Sequence, residues 1–291
     1  KGGNLLLNIG PMGTGKMAPE DLKILGEIGK WWSVNGESIR GTTRTPLMRQ
    51  AWGDSTLKDN NLYLHVFDWP QDGKLVVGGL DAEVESVTLL SDRNNKLSAK
   101  RSGQDLEISI PKSAPDLADS VILVKCKSTP KADSAFLLQN NIPNKLSVFF
   151  AELLGKTEKD GWRLGRGQII SSNVTGWTKQ ECGVKWSTRL NQKTKFDVVV
   201  KYDAPGSDGK AKVETEGGAV TKKTEDTFGG SFILEIGNQK LKGEISKMGE
   251  GVELNLGSIT VEPGEFNIQV LTDTITGKEL MRLQSVIHTP R

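Results

Sequence analysis

From about residue 44 to the end, the sequence is cut into short apolar segments of period two, and helical periodicity is confined to residues 19–35. That distribution constrains the fold more than any other feature. One strand and one helix cannot bury their own apolar faces, so the N-terminal unit needs a larger body to pack on. The short segments recur every 8–12 residues or so, with Gly, Asp and Asn between them, and predict antiparallel sandwiches.

Leu5-Leu6-Leu7-Asn8-Ile9 predicts a strand buried on both faces, ended by Gly10-Pro11. A Gly-rich loop leads to Pro19, which fits a first helical turn, and Glu20 and Asp21 suit its positive end. Leu22, Leu25, Ile28 and Trp32 form an apolar stripe, and Asn35-Gly36 predicts a left-handed stop. Residues 1–43 therefore read as one strand–loop–helix unit. Segments such as 62–67, 74–77, 84–90, 97–100, 106–110 and 121–125 predict a first sandwich over 44–128. The polar stretch 129–144, with Pro130 and Pro143, predicts a linker. Segments 147–151, 196–202, 232–236, 259–261, 266–271 and 280–287 predict a second sandwich over 145–291. The expected class is mainly β: two antiparallel β-sandwich domains after one βα unit.

Charge narrows the function. Lys plus Arg (38) nearly cancel Asp plus Glu (36), and a net charge of +2 argues against nucleic acid as the partner. No apolar run approaches the roughly 20 residues of a membrane span. Only His65 and His288 are available for histidine chemistry, and Cys126 and Cys182 leave either one disulfide or two thiols. The segment Gly10-Pro-Met-Gly-Thr-Gly-Lys16-Met17 approaches the pattern G-x-x-x-x-G-K-[ST] between a strand and a helix. Met17 offers a thioether where a hydroxyl must hold Mg²⁺, and Pro19 delays the helix beyond Lys16, so no nucleotide is expected. The carboxylates Asp81, Glu83, Glu85, Glu214 and Glu216 read as exposed strand charges, and no cofactor is implied. His65 reads as an outer or half-buried strand residue.

Gly2-Gly3-Asn4-Leu5-Leu6-Leu7-Asn8-Ile9-Gly10-Pro11, Gly13-x-Gly15-x-Met17-x-Pro19 and Asn35-Gly36-Glu37-Ser38-Ile39-x-Gly41-Thr42 together resemble the final barrel segment of α-L-fucosidases of glycoside hydrolase family 29. Arg40 stands where that pattern has Tyr, Thr14 where Asp is common, and Trp32 where Leu is typical. Leu62–Pro70 with Asp72-Gly73, Leu106–Pro111 and Ser120–Val124 resemble the family's C-terminal β domain. The block from 145 onward is more loosely similar to appended carbohydrate-binding modules.

The resemblance implies a (β/α)₈ barrel of about 250 residues and retaining hydrolysis of terminal α-L-fucosyl bonds. Retention needs two carboxyl groups about 5–5.5 Å apart. The family's nucleophile, acid/base and fucose-binding His lie on earlier strands, so no catalytic residue is assigned here and the chain alone is expected to be inactive. The chain opens on Lys1-Gly2-Gly3 rather than Met and reads as a piece of a longer bacterial protein, secreted, periplasmic or at the cell surface. Fucosylated glycans are the expected partners. Asn8, at the strand end on the catalytic face, and Trp177, in Thr175-Gly176-Trp177-Thr178, are the candidate substrate-binding residues. Lys16 and Trp162 are weaker sugar-contact candidates, Glu152 a weak Ca²⁺ ligand, and Trp186 reads as core. The competing class is a non-catalytic carbohydrate-binding or adhesion protein, against which the strand–loop–helix unit argues. The sequence leaves open the linkage preference, the ligand of residues 145–291 and the oligomeric state.

Overall fold

The computed structural model describes residues 5–160, 163–164, 168–169, 173–205, 213–216, 219–222 and 227–291. The chain divides into two units, Lys1–Ser134 and Ala135–Arg291. Among the described residues it is mostly β, with one α-helix, as the period-two texture predicts.

In the first unit, helix α1 (Pro19–Asn35) begins where Pro19 predicts. Eleven strands follow: β1 (Thr43–Arg44), β2 (Gly53–Lys58), β3 (Asn61–Val66), β4 (Lys74–Val77), β5 (Leu80–Asp81), β6 (Val84–Leu89), β7 (Asp92–Lys96), β8 (Ala99–Ser102), β9 (Asp105–Ser109), β10 (Ser120–Cys126) and β11 (Lys131–Ala132). One sheet runs β1-β2-β3-β10-β6-β7 and a second β4-β9-β8, with β11 paired to β5. Leu62, Leu64, Ile122 and Val124 from the first sheet, and Leu75, Val77 and Ile108 from the second, are completely buried. Trp52 and Trp69 are buried as core residues, each donating its indole N–H to a backbone oxygen, of Val76 at 2.9 Å and Pro111 at 2.8 Å. The β3–β4 connection turns at Asp72-Gly73, where Asp72 Oδ1 accepts from Lys74 N and Gly73 takes φ 79°.

Two expectations fail at the N-terminal end. Leu5–Ile9 forms no strand: Leu5 and Leu6 are 90% and 85% exposed. A doubly buried strand needs hydrogen-bonding neighbours on both edges, and none of the described residues supplies them. The helix also does not stop on a left-handed Gly36. Gly36 keeps helical angles (φ −58°), a 3₁₀ turn follows over Gly36–Ser38, and Gly41 takes the positive φ. Gly36 is required for space, because a Cβ there would lie 2.9 Å from the Trp32 indole nitrogen.

In the second unit the strands are β12 (Phe136–Leu138), β13 (Asn144–Ser147), β14 (Glu152–Leu154), β15 (Glu158–Asp160), β16 (Arg163–Leu164), β17 (Gln168–Ile169), β18 (Asn173–Thr175), β19 (Gly183–Leu190), β20 (Thr194–Ala204), β21 (Val213–Glu216), β22 (Ala219–Lys222), β23 (Gly230–Ile236), β24 (Gln239–Ile245), β25 (Gly249–Val261), β26 (Gly264–Ile275) and β27 (Arg282–Pro290). One sheet runs β12-β19-β26-β23-β24 and the other β15-β18-β27-β20-β25, with β14 joined to β19 and β13 to β27. Pairing is antiparallel except for β12 on β19. A continuous core that includes Trp177, Trp186, Phe196, Tyr202 and Phe232 lies between the sheets.

The stretch expected as a linker, 129–144, carries β11, β12 and the start of β13. Its polar composition has a structural use. The fully buried Asn144 amide accepts from Gln139 N at 2.6 Å and donates to the oxygens of Gln139, Ile142 and His288. One side chain thus replaces ladder bonds that a loop beside Pro143 cannot make.

Candidate functional site

The Gly-rich loop after Ile9 folds on itself, with Met12 N donating to Lys16 O at 2.9 Å and Gly15 N to Met12 O at 2.8 Å. Lys16 is exposed and lies three residues before the first helical residue, Pro19. Asn8 is exposed as well. Helix α1 leaves Leu22, Ile24, Ile28, Trp32 and Val34 exposed, and Trp32 lies under the Arg40 guanidinium at 5.5 Å instead of packing on the sheet.

Trp31 makes the attachment. Its indole N–H donates to Asp119 O at 2.8 Å, and its ring lies 6.3 Å from that of His65. His65 is buried, rather than outer or half-buried as expected, with Asp119 in the loop before β10 as its partner: Nδ1 lies 2.9 Å from Asp119 Oδ2. Its Nε2 is 3.4 Å from Thr56 Oγ1, which donates to Ser38 O at the end of the helical segment. Helix, loop and sheet are therefore joined through Asp119, whose backbone oxygen takes the Trp31 indole and whose carboxylate takes His65. Nothing in the sequence reveals this pairing, since the two residues are 54 positions apart. A second tie runs through Glu37, which holds Arg93 at 2.7 Å; burial and the Glu37 carboxylate push the Tyr63 hydroxyl up to about 12. Between α1 and the 115–121 loop lies an open cleft of about 830 Å³, lined by Ile24, Ile28, Trp31, Val34 and Leu117 among others.

Replacing Trp31 with Ala removes both the indole bond and the ring contact. Faster amide exchange confined to residues 19–35 is expected, with the β3 and β10 amides unchanged. Equal exchange in variant and parent would show that Trp31 does not hold the helix.

In the second unit the candidate Trp177 is completely buried, and its N–H donates to Val174 O at 2.7 Å. It cannot stack on a sugar without unfolding its surroundings. Gly176, at φ 80°, precedes it, and a Cβ at that position would lie 2.5 Å from Lys156 O. Trp186 is core, as expected, donating to Ser147 O at 3.0 Å. Trp162 lies outside the described residues, as do the side chains of Glu214 and Glu216. Glu152 pairs with Lys185 at 2.8 Å. Asp81, Glu83 and Glu85 are exposed, and Glu83 pairs with Lys127. Among the described residues no three His, Cys, Asp or Glu side chains gather as a metal site, and no helix is long and apolar enough to cross a membrane. Cys126 and Cys182 are free and buried, and burial pushes the Cys126 thiol up. Among the described residues of the second unit, Phe149 and Phe150 are the aromatic side chains that face solvent, in a 3₁₀ turn the sequence presents as strand.

The comparisons decide which of these features belong together. Residues 1–37, the loop and the whole of α1, match the family model for alpha-L-fucosidase. Over those residues the N-terminal segment is similar to the α-L-fucosidase family. The α-L-fucosidase of Branchiostoma floridae is 39% identical over 80 residues, 26% of this chain and 18% of that protein. That of Dictyostelium discoideum is 28% identical over 133 residues, 44% of this chain and 28% of that protein. The matched stretches thus span under a third of these fucosidases. In fold, 98% of the chain is similar to 47% of the crystal structure of the α-L-fucosidase from Vibrio sp. strain EJY3, with TM-score 0.61 and 16% identity. That likeness concerns the fold of a fucosidase beyond its N-terminal match, and at that identity the fold alone.

Proposed function

We propose that the chain is the C-terminal part of a retaining α-L-fucosidase, in which residues 1–43 complete a (β/α)₈ barrel and the β units serve as accessory domains, the second of them carbohydrate-binding. One observation carries this reading. The segment that matches the fucosidase family is also the segment whose apolar surface is uncovered: Leu5, Leu6, Leu7 and Ile9 before the loop, and Leu22, Ile24 and Ile28 on α1. An apolar run flanked by an apolar helical stripe is what a barrel strand and its helix present before their neighbours cover them. Both carboxylates of the retaining pair then belong to neighbouring βα units. Fucosylated glycans are the substrates. Asn8 lies at the end of the strand segment, on the catalytic face, and lines the pocket floor.

The test is turnover of an aryl α-L-fucoside. The 291 residues alone are expected to give none, while the product of the gene read further upstream is expected to hydrolyse it. Turnover by the 291 residues alone would overturn the assignment of the catalytic carboxylates to other units.

A further inference from the structure

We propose that Phe149, Phe150 and Lys159 form a binding site on the second unit for a terminal sugar of a neutral glycan. The proposal deepens the carbohydrate-binding reading of that unit and replaces Trp177 as its contact residue.

Phe149 and Phe150 are 53% and 40% exposed, in a unit whose other aromatic side chains among the described residues are buried or packed against its core. Two adjacent exposed rings cost solvation energy that a folded domain ordinarily avoids by burying one of them. The rings are also held in place. Val148, before them, is completely buried, Ser147 Oγ accepts from Phe149 N, and Ala151 N closes the turn on Val148 O at 3.1 Å. Their centroids are 5.0 Å apart with planes at 81°, so they form two sides of a corner. A corner of that kind fits one pyranose: one ring lies against a C–H face of the sugar and the other against its edge. Because the turn is fixed beforehand, little ordering entropy opposes binding.

Lys159 supplies the polar side. Its Nζ donates to Phe149 O at 2.5 Å and lies 5.7 Å from the Phe149 ring centroid. An ammonium has three donors, so it retains donors for sugar hydroxyls. Partial burial lowers its proton affinity, which fits a donor to neutral oxygens. The charge of the segment selects the occupant. Residues 147–160 carry Lys156 and Lys159 against Glu152, Glu158 and Asp160, and Glu152 is paired with Lys185, so the segment holds no excess positive charge to draw an anionic lipid surface or an acidic glycan. A neutral ligand with apolar faces and hydroxyl edges needs none.

The experiment uses the full 291-residue chain and its Phe149→Ala/Phe150→Ala and Lys159→Ala variants. They are read on an array of neutral and sialylated glycans and on vesicles of phosphatidylglycerol in phosphatidylcholine. The parent is expected to bind neutral glycans, the double variant to bind them at least about tenfold more weakly, and Lys159→Ala to fall between. Circular dichroism and the melting profile should be unchanged in the double variant, since both rings are exposed. Binding to vesicles alone, or neutral-glycan binding that survives in the double variant, overturns the site. Binding to no glycan overturns both the site and the carbohydrate-binding reading of the unit. Aryl fucoside turnover by the longer gene product is independent of all three substitutions.

Discussion

Replacing Trp177 with alanine is expected to cost the second unit about 3–5 kcal/mol, the usual range for emptying a fully buried indole. Trp177 has no exposed surface and belongs to the continuous core between the two sheets. The cost has two parts. The cavity loses the dispersion contacts of the ring, and Val174 O loses the indole N–H it accepts at 2.7 Å, inside a strand with no water to replace it. Against a domain stability of about 5–15 kcal/mol, a loss of this size removes a large share of the margin and unfolds the domain outright only at the low end of that range. Chemical denaturation of the parent, Trp177→Ala and Trp177→Phe separates the parts, because phenylalanine restores most of the fill and none of the hydrogen bond. A change below about 1 kcal/mol for Trp177→Ala would mean that the residue is not the core element described. Loss of glycan binding in this variant would report unfolding and not a lost sugar contact.

The second large effect concerns His288. It is completely buried on β27, beside Phe196 at a centroid distance of 6.0 Å, and neither ring nitrogen has a hydrogen-bond partner. Burial without a partner disfavours the imidazolium, and the group is held down to about 4 from an ordinary 6.5. The sign follows from proton uptake. Between pH 6.5 and 4 the unfolded chain binds a proton at His288 that the folded chain does not. The stability associated with the neutral ring is therefore fully present above 6.5 and lost as the pH falls to 4. The shift corresponds to about 3 kcal/mol over that interval, with no further loss from this group below it. The second unit should melt at a markedly lower temperature at pH 4.5 than at pH 7. His288→Phe, which keeps a ring against Phe196, should flatten that difference. An equally steep pH dependence in the variant would place the acid sensitivity elsewhere.

Much of the first unit was legible because its signals are local. Pro19 with Glu20 and Asp21 marks the helix start, and Asp72-Gly73 marks a turn whose side-chain bond the structure contains. In the second unit, Trp186 sits in a strand pattern that places it inside. The failures share a cause: each depends on what lies across space. Asn35-Gly36 is read as a left-handed stop when Gly36 is in fact making room for Trp32. Leu5–Ile9 is a strand in composition but has no ladder to join. The polarity of 129–144 looks like a linker because Asn144 resembles a solvated residue until its four bonds are traced. The candidate site was hardest. Thr-Gly-Trp-Thr suggests an exposed ring, but that ring is completely buried, while Val148-Phe149-Phe150 looks like core strand and is a turn with one buried and two exposed residues. His65 gave no sign of Asp119, and no short-range pattern can encode such a partner.

The place of β13 beside β27 has a consequence for how the protein is made. Asn144 pairs with His288 and Ser147 with Ser285, so β13, near the start of the second unit, waits on β27, about 140 residues further on. Until residues 282–290 leave the ribosome, β20 lacks one of its two neighbours in the sheet, and the core around Val198 and Val200 lacks Leu283 and Val286. Closure across so long a loop is slow, and an incomplete chain exposes two open edges in the meantime. A nascent chain stalled before residue 282 should therefore be bound by chaperones or degraded, while the first unit, whose strands pair within residues 43–132, is already folded.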